Sequence, residues 1–453
     1  MATARDNYLV IGGSGFVGRH IVQQLLARGD TVSVLDIVQR YHDTPFYSAD
    51  ISEQQEVAAA LQKSGATCVI HTASPHAGLN DAALYFKVNV DGTKAIIAAC
   101  VQQGVTKLVF TSSAGVIFDG GDIINADERT PLPETPLDAY NESKAKAEEA
   151  VLQANGIGGL WTVALRPAGI FGPGDRQVMS GLFQVYDRGQ THFQIGDNTN
   201  LFDWTYVGNV AKAHLLAADK LGPPKFPRLE LTEDHIPVTD IELTAEEEKF
   251  TNYTLPYVSK TAHALRIPTS EARPLGPCVE PPVNARELEQ AYAEPEHPQN
   301  RPVIRTRFDA LAESSIARHK LTHDGASPLD VCGQVFFITN GEPVYFWDFP
   351  RAVWKRLDKL FPGKRTERSV WKLSQTIGLT AATGSEWVGW MTGKEPTFTR
   401  FKVSYSCAVR WHNIEKARRV LGYEPDVGIE EGLDRLLEWW ASEHGHLVLS
   451  EKK

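Results

Sequence analysis

Tyr140 and Lys144 lie four residues apart in the run Tyr-Asn-Glu-Ser-Lys, at the start of a segment with helical spacing. Side chains at positions i and i+4 share one face of a helix, so the ammonium group would lie beside the phenol. A free tyrosine has a pKa of about 10 and is a poor base at neutral pH, but a nearby cation favours the phenolate. We therefore expect this pair to exchange a proton with a substrate, with Lys144 lowering the pKa of Tyr140.

A hydroxyl group that suits the same chemistry precedes this pair by 27 residues. The apolar run at 107–111 reads as a strand, and Ser113 follows it. Ligands of parallel sheets bind where the carboxyl ends of the strands meet. Ser113 is therefore predicted to polarise the substrate oxygen whose proton Tyr140 takes. The pattern Tyr-x-x-x-Lys is common by chance, so the evidence that this pair is catalytic comes from Ser113 and the neighbouring strand end.

A glycine-rich turn near the N-terminus has the spacing of a dinucleotide site. It follows a predicted strand at 8–11 and precedes a predicted helix. The first glycine permits a tight turn, the second lets main-chain N–H groups approach a pyrophosphate, and the third lets helix and strand pack closely. The predicted cofactor-binding residues of this turn are Gly12, Gly13, Ser14, Gly15, Phe16, Val17 and Gly18.

A carboxylate at the end of the second predicted strand indicates which dinucleotide binds. Asp36 lies eighteen residues after Gly18, where it can bind both ribose hydroxyls of NAD and would repel the 2′-phosphate of NADP. Arg40 lies close by and could accommodate that phosphate. We therefore predict NAD as the cofactor, while NADP stays open.

Strands and helices alternate through the first 170 residues. Apolar runs at 8–11, 31–36, 68–71, 107–111 and 162–166 are separated by helical patterns at 15–28, 52–62, 84–103 and 139–153. Such alternation predicts parallel strands joined by crossover helices. The predicted fold class is α/β, with a Rossmann-type doubly wound parallel sheet, a smaller C-terminal substrate domain and a proline-rich insertion.

The chain divides into four predicted regions. Residues 1–221 would form the NAD-binding and catalytic domain, with 166–210 contributing to the substrate side. Residues 222–330 read as an insertion with a short helix at 305–320, and thirteen of the 26 prolines fall between Pro223 and Pro302. Regular sequence resumes at 331–445, with a β-like run at 335–339 and helical patterns at 350–359, 414–421 and 429–440. Residues 446–453 would be a tail.

Charge and cysteine usage argue against two classes of function. The 46 basic and 56 acidic residues give a formal charge of −10, which does not favour nucleic acid as a partner. The five cysteines are far apart, and no cluster of cysteines and histidines has metal-ligand spacing. No stretch reaches the roughly 20 apolar residues that span a bilayer. We therefore expect neither a nucleic-acid partner nor a metal site.

These motifs together resemble the extended short-chain dehydrogenase/reductase superfamily. The resemblance implies roles that spacing alone does not assign. Asp50 and Ile51 would contact the adenine, and Lys144 would bind the nicotinamide ribose as well as act on Tyr140. The remaining positions would line the cofactor near its pyrophosphate, ribose and nicotinamide, and they are Thr72, Ala73, Ser74, Pro167, Ala168, Gly169 and Ile170.

Further segments are similar to the 3β-hydroxysteroid dehydrogenase family, and most similar to fungal sterol-4α-carboxylate 3-dehydrogenases that decarboxylate their product. They lie at 202–211, 336–344, 346–349, 405–407, 413–417 and 421–425. The resemblance implies oxidation of the 3β-hydroxyl of a 4α-carboxysterol, followed by loss of carbon dioxide, in sterol biosynthesis. It also implies a homodimer, contact with other enzymes of sterol C-4 demethylation, and a peripheral place on the cytosolic face of the endoplasmic reticulum membrane.

A sterol is insoluble, and residues 370–391 are predicted to contact the membrane surface. Apolar residues recur there at helix-like spacing, between tryptophans and after four basic residues. The apolar residues are Val370, Leu373, Ile377, Ala381, Val388 and Met391, and the tryptophans are Trp371, Trp387 and Trp390. The basic residues are Lys364, Arg365, Arg368 and Lys372. Aromatic ends and basic flanks are typical of a helix lying in the interface. A buried helix of the substrate domain is the alternative.

Two other functions remain open. A nucleotide-sugar epimerase or reductase would use the same Tyr140 and Lys144, but this function does not account for the many tryptophans of the C-terminal half. A non-catalytic, dinucleotide-sensing regulator could share the fold, although such proteins typically lack the tyrosine and lysine pair.

Overall fold

The computed structural model describes residues 5–128, 130–225, 330–366, 368–393, 398–414 and 416–444. Most of the predicted insertion, the helix suggested at 305–320 and the C-terminal tail lie outside the described residues. The division of the chain at 221 and 331 therefore stays a prediction.

Seven strands form the main sheet, and every neighbouring pair is parallel. Numbered among all strands of the chain, they are Asn7–Ile11 (β1), Thr31–Asp36 (β2), Phe46–Ser48 (β3), Cys68–His71 (β4), Lys107–Thr111 (β5), Trp161–Pro167 (β7) and Gln334–Ile338 (β12). Their spatial order is β3-β2-β1-β4-β5-β7-β12. The predicted α/β class and all five predicted strands of the first 170 residues are confirmed, while β3 was not predicted.

Helices cover both faces of this sheet. Phe16–Arg28 (α1) and Val207–Lys220 (α7) pack on one face; Gln54–Ser64 (α2), Gly92–Gln103 (α4) and Ala139–Gln153 (α5) pack on the other. A short helix, Ala82–Tyr85 (α3), and a π-helical turn, Phe86–Asp91, lead without a break into α4. Side chains of β1 alternate between the faces, with Tyr8 and Val10 towards α1 and Leu9 and Ile11 towards α2. Burial on both faces explains why the predicted strands are apolar runs without polar alternation.

The glycines of the first turn are required by close approach. Gly12 has φ +81°, and a Cβ there would lie 2.7 Å from the main-chain nitrogen of Ala73. A Cβ on Gly18 would lie 2.2 Å from the carbonyl oxygen of Gly12, so only glycine lets α1 pack this tightly on the turn. These contacts place the N-terminus of α1 at the carboxyl ends of β1 and β4.

Elements that follow β5 and β7 form a smaller unit around an aromatic core. Its four-stranded sheet has the order β13-β10-β15-β6, made of Ile123–Ala126 (β6), Leu201–Phe202 (β10), Val344–Tyr345 (β13) and Arg410–His412 (β15). Gly169–Phe171 (β8) pairs with Trp204–Tyr206 (β11). Three helices pack here, Val178–Asp187 (α6), Asp348–Leu360 (α8) and Ile429–Glu443 (α11). The Trp204 ring stacks on Phe349 at 4.0 Å between centroids.

The helices predicted at 350–359 and 429–440 correspond to α8 and α11, whereas 414–421 yields only a π-helical turn at Ala417–Leu421.

Strand β12 returns to the main sheet from beyond the insertion. It pairs with β7, so the sequence on both sides of the insertion builds the sheet. Two groups of opposite charge cover its outer edge: the Glu128 carboxylate accepts the Phe337 N–H at 2.9 Å, and the Lys416 ammonium donates to the Val335 carbonyl at 3.0 Å. The Glu128 charge acts on Lys416 to favour its ammonium form, against the effect of burial. The edge groups of β12 are therefore not left free to pair with another strand.

The segment 370–391 differs from the single helix that its spacing predicted. Trp371–Leu373 (β14) is a strand that pairs with Phe193–Ile195 (β9), and only Gln375–Thr392 (α9) is helical. Ser374 separates the two elements because its hydroxyl accepts the N–H of Ile377 and caps the helix. Gly378 and Ala382 of α9 pack near Arg400–Cys407 (α10), while much of α9 is exposed.

Candidate active site at the carboxyl edge of the main sheet

Tyr140 lies in the first turn of α5, whose start is fixed by a side-chain cap. The Asp138 carboxylate accepts the N–H of Asn141 at 2.7 Å, as N-terminal caps do. One turn on, the Ser143 hydroxyl donates to the Tyr140 carbonyl at 2.8 Å and accepts from the Asn89 amide at 2.9 Å. The π-helical turn that carries Asn89 is thereby tied to the first turn of α5.

Ser113 meets Tyr140 just beyond β5. It caps the short helical turn Ala114–Ile117, and its hydroxyl accepts the N–H of Gly115 at 3.0 Å. The same side chain is hydrogen-bonded to the phenol of Tyr140. A Cβ at Gly115 would lie 2.4 Å from the Asn141 side-chain oxygen, so glycine allows α5 to approach this turn. The predicted pairing of Ser113 with Tyr140 is thus present in the structure.

The pKa of Tyr140 differs from the prediction. Burial raises it to about 12, and the hydrogen bond from Ser113 opposes that rise. The Tyr85 ring covers the phenol edge-on at 5.5 Å between centroids. The physical reason for the higher pKa is that desolvation of the phenolate outweighs the favourable contacts. The effect of Lys144 on the pKa of Tyr140 stays a prediction.

Lys144 is 2% exposed and lies beneath the carboxyl end of β5. Its Nζ donates to the carbonyl oxygen of Thr111 at 2.6 Å and lies 4.5 Å from the centre of the Phe110 ring. Burial lowers the pKa of Lys144 to about 7, against the charge of Glu148, which favours the ammonium form. The lysine therefore changes its charge near neutral pH.

Glu148 connects Lys144 to the ends of β5 and β7. This residue was not predicted from the sequence. It lies four residues after Lys144 on the same face of α5, and its carboxylate accepts the Ser112 hydroxyl at 2.6 Å and the Arg166 Nε at 2.9 Å. Arg166 is itself buried, with its guanidinium 5.3 Å from the Phe337 ring. The spacing from Lys144 to Glu148 is the signal that could have identified this carboxylate, since i and i+4 share a face.

Thr111 is also held from its other side. The Nδ1 atom of His214 lies 2.8 Å from the Val210 carbonyl, which can only accept, so Nε2 accepts the Thr111 hydroxyl at 2.7 Å. Burial lowers the pKa of His214 to about 4, which keeps the ring neutral at physiological pH. The helix α7 thus fixes the residue whose carbonyl binds Lys144.

The predicted dinucleotide turn lies at the same edge. Gly15 precedes α1 and donates its N–H to the Gly12 carbonyl at 2.9 Å, which closes the turn. The Asp36 carboxylate accepts the N–H of Ser14 at 3.1 Å and that of Ile37 at 2.8 Å. The close packing that Gly12 and Gly18 allow places the N-terminus of α1 at this turn, and a helix N-terminus suits a pyrophosphate. Phe16 and Val17 begin α1, and Gly13 packs on the Val34 side chain.

The other predicted cofactor residues surround this turn. Asp50 accepts the hydroxyl and N–H of Ser52 and pairs with Lys87 at 3.3 Å, while Ile51 is buried against Gly92. Thr72 donates to the Ile11 carbonyl at 3.0 Å. Ala73 and Ser74 follow β4, and both are half-buried.

Residues 167–170 follow β7 on the opposite side of β5 from the glycine turn. Pro167 ends β7, Ala168 donates its N–H to the Ile338 carbonyl at 3.1 Å, and Gly169 with Ile170 begins β8. A Cβ at Gly169 would lie 2.9 Å from the Phe202 ring. The catalytic and cofactor residues predicted from the sequence therefore come from neighbouring strand ends, as a binding crevice requires.

The parallel sheet and the residues at the carboxyl ends of its strands define an oxidoreductase of the short-chain type. Residues 9–246 match the model of the 3-beta hydroxysteroid dehydrogenase/isomerase family. The chain is 38% identical to the decarboxylating sterol-4-alpha-carboxylate 3-dehydrogenase of Saccharomyces cerevisiae, over 96% of this chain and 97% of that protein. It is 36% identical to the enzyme of the same name in Schizosaccharomyces pombe, over 97% of this chain and 99% of that one. The chain therefore belongs to the 3-beta hydroxysteroid dehydrogenase/isomerase family, as the resemblance predicted.

Solved structures support the fold. The UDP-glucose 4-epimerase of Thermotoga maritima, solved with UDP-glucose, matches with a TM-score of 0.56 at 16% identity, over 96% of this chain and 99% of that chain. MoeE5, solved with UDP-glucuronic acid and NAD, matches with a TM-score of 0.54 at 19% identity, over 96% and 99% of the two chains. At these identities the likeness concerns the architecture.

We predict that Glu148→Gln lowers the pKa of Lys144 below its value of about 7. Loss of the carboxylate charge leaves desolvation unopposed, so the ammonium form becomes less favourable. Arg166 would also lose its partner, which should reduce the free energy of unfolding by about 3–5 kcal/mol. Carbon NMR of labelled lysine over a pH series measures the first effect, and urea unfolding measures the second.

The neighbouring Glu149 is exposed on α5 and provides a matched control. Glu149→Gln should leave both quantities unchanged. An unchanged Lys144 titration in Glu148→Gln would show that the carboxylate does not act on the ammonium.

Proposed function

We propose that this protein oxidises the 3β-hydroxyl group of a 4α-carboxysterol with NAD⁺ and yields a 3-keto acid that loses carbon dioxide. One observation carries the proposal: over nearly its whole length the chain is similar to fungal enzymes named as decarboxylating sterol-4-alpha-carboxylate 3-dehydrogenases. The candidate site supplies groups that suit this chemistry, since a hydroxyl, a phenol and an amine converge at one strand end.

Each side chain has a distinct task in this reaction. Tyr140 takes the proton of the sterol hydroxyl, and the hydrogen bond from Ser113 favours the phenolate and then polarises the product ketone. Lys144 offers a positive charge at the carboxyl end of β5, and Glu148 favours that charge. Bound NAD⁺ supplies the hydride acceptor, held by the turn that Gly12 and Gly18 make possible.

Loss of carbon dioxide follows from the oxidation. The new ketone lies one carbon from the carboxylate, so the electron pair of the breaking carbon–carbon bond moves into an enolate. Ser113 and Tyr140 are placed to donate hydrogen bonds to the enolate oxygen, which lowers the barrier. The oxidation thus activates the decarboxylation without a further cofactor.

We predict that Tyr140→Phe lowers kcat by a factor of about 10²–10⁴, since it removes the proton acceptor and keeps the ring. NADH absorbance and carbon dioxide release would be followed together with NAD⁺ and a 4α-carboxysterol. NAD⁺ binding, measured by calorimetry, should be retained. Tyr186→Phe, which removes a buried phenol far along the chain in α6, is the control and should leave kcat unchanged.

The proposal fails if wild-type protein forms no NADH with the sterol acid but turns over a UDP- or dTDP-sugar. That result would favour the epimerase function instead. Full activity of Tyr140→Phe would instead mean that another group accepts the proton.

We also propose NAD rather than NADP as the physiological cofactor. Asp36 supports this choice because its carboxylate lies beside the glycine turn and is fixed there by the N–H groups of Ser14 and Ile37. Arg40 is exposed on the following loop. A negative charge at that place should repel the 2′-phosphate.

We expect the wild type to use NAD⁺ with at least tenfold higher kcat/KM than NADP⁺, and Asp36→Ala to reduce that ratio by about tenfold or more. Steady-state rates with both cofactors measure it. Adding Arg40→Ala to the Asp36 variant should lower the remaining activity with NADP⁺, because the phosphate loses its cation. Equal use of both cofactors by the wild type would contradict the proposal.

We propose further that α9 and β14 form the contact with a membrane surface, on the cytosolic face of the endoplasmic reticulum. The support is exposure: Trp371 is 69%, Trp387 62% and Met391 61% exposed, and Ile377 and Val388 are exposed as well. This does not fit the alternative of a buried helix. Arg368 and Lys372 are exposed nearby, whereas Lys364 and Arg365 pair with Asp187 and Asp358. Among the described residues, no helix is long and apolar enough to cross a bilayer.

We predict that the double variant Trp387→Glu, Val388→Glu weakens binding to phosphatidylcholine vesicles containing phosphatidylserine by about tenfold or more, since two apolar side chains leave the interface. Vesicle sedimentation measures the bound fraction. Ile157→Glu changes an apolar residue of similar exposure beyond α5 and should have no effect. Equal binding of all three proteins would refute the membrane contact.

We propose two further partners because the chain belongs to this family. These are a second copy of the chain, through the helices that follow β4 and β5, and other enzymes of sterol C-4 demethylation.

A further inference from the structure

Tyr85 packs its ring on the phenol that the proposed reaction uses. It is the last residue of α3 and is 2% exposed. Its ring meets that of Tyr140 edge-on, with 5.5 Å between the centroids and 69° between the planes. Such pairs are directional, because the positive edge of one ring points at the electron-rich face of the other. The Tyr85 ring therefore restricts the directions in which the Tyr140 phenol can point.

The hydroxyl group of Tyr85 closes residues 76–79, which we call the β4 loop because they lie between β4 and α3. It donates to the His76 carbonyl at 2.6 Å and accepts the Leu79 N–H at 2.8 Å. Between these residues the chain turns at Gly78, whose φ of +89° favours glycine. All four residues of the loop are exposed, so the two hydrogen bonds hold a main chain that has no buried side chains of its own.

The helical segment that carries Tyr85 also fixes the main chain of Tyr140. Asn89 lies four residues after Tyr85, in the π-helical turn that continues α3. Its amide donates to the Ser143 hydroxyl at 2.9 Å, and that hydroxyl donates to the Tyr140 carbonyl at 2.8 Å. One continuous segment thus holds both the ring and the carbonyl group of the catalytic tyrosine.

The β4 loop continues the segment that is proposed to line the cofactor. Ala73 and Ser74 follow β4 directly, and both are half-buried. The side chain of His76 is hydrogen-bonded to that of Gln177, the residue before α6. The loop therefore lies between the cofactor side of the main sheet and the smaller unit, and Tyr85 is bound to its main chain.

We propose that Tyr85 is a positioning residue that links the cofactor side of the crevice to the catalytic phenol. Its ring sets the direction of the Tyr140 phenol, and its hydroxyl fixes the β4 loop. The proposal rests on the proposed function, since it takes Tyr140 to be the group that accepts the proton. The two tasks belong to different atoms of one side chain, so variants can remove them one at a time.

The groups around the phenol give the ring a measurable effect on pH dependence. Burial is the largest cause that raises the pKa of Tyr140, and the hydrogen bond from Ser113 opposes it. The titratable groups that add to the rise are Asp138 before α5, Tyr85 of α3 and Tyr405 of α10, while Lys144 lies one turn further along α5. Loss of the Tyr85 ring exposes the phenol to water, so its pKa should fall. Because the phenolate accepts the proton, kcat should then rise with pH at a lower pH.

The first variant, Tyr85→Leu, removes the ring. We expect kcat at its pH optimum to fall about 2- to 10-fold, as for the loss of one aromatic pair. The rise of kcat with pH should move to lower pH. Carbon NMR of labelled tyrosine follows the phenol without any substrate, with Tyr140→Phe assigning the signal, and the Tyr140 signal should begin to shift at a lower pH than in the wild type.

The second variant, Tyr85→Phe, keeps the ring and removes the hydroxyl. We expect the pH dependence to match the wild type and kcat to stay within about twofold, since the aromatic pair is retained. The Kd for NAD⁺, measured by calorimetry, should rise about 3- to 10-fold, because the β4 loop loses both of its hydrogen bonds to Tyr85. KM for NAD⁺ should rise with it.

Two matched controls change similar groups elsewhere. Phe86→Leu removes the next ring of the same helical segment, which lies 4.9 Å from the Lys146 ammonium. Tyr186→Phe removes a buried hydroxyl that donates to Asp358 at 3.0 Å. Neither should alter the pH dependence of kcat or the binding of NAD⁺.

The outcomes separate this proposal from the proposed function. If Tyr85→Leu loses stability while its kcat and its Tyr140 signal follow the wild type, Tyr85 only fills the core and the proposal is overturned. If Tyr85→Leu does not fold, NAD⁺ binding by Tyr85→Phe decides, and an unchanged Kd overturns the link to the cofactor side. Absence of NADH formation by the wild type with the sterol acid would overturn the proposed function, whereas the NMR and calorimetric measurements need no sterol and still test Tyr85.

Discussion

The burial of one ammonium group is the constraint on which the candidate site depends. Lys144 has almost no contact with water, so its charge is stable only while protein groups replace hydration. The Thr111 carbonyl, the face of Phe110 and the charge of Glu148 do this. Each of these partners is fixed in turn, Thr111 by His214 and Glu148 by Arg166. The ends of β5 and β7, α5 and α7 are therefore coupled through a single charge.

The two units of the molecule treat buried charge differently. In the main sheet buried cations lie near carboxylates: Arg166 forms an ion pair with Glu148, and the charge of Glu128 acts on Lys416. The smaller unit surrounds Arg410 with aromatic rings instead. Paired charges hold the groups of the candidate site in place, whereas the aromatic rings cover a cation that has no carboxylate partner among the described residues.

Much of the fold and of the candidate site followed from the sequence because those features are local. The strand at 8–11, the glycine spacing and the i to i+4 relation of Tyr140 and Lys144 each occupy one short segment. What escaped prediction depends on residues that are distant in sequence. Burial of Tyr140, to which segments distant in sequence contribute, raises the pKa of its phenol, and pairing with β9 turns Trp371–Leu373 into a strand. The rings around Arg410 come from three separate segments, which no local pattern brings together.

The return of β12 to the main sheet has a consequence for biosynthesis. Residues 168–333 separate it from its neighbour β7, and at about 5–20 residues per second a ribosome needs roughly 10–30 s to make them. Until then β7 is an open edge, and neither β12 nor Lys416, which occupies the outer side of β12, has been made. Open edges recruit foreign strands. The nascent chain therefore passes through a long interval in which β7 is exposed as an edge strand, and the sheet closes only after the segment between β7 and β12 has been made.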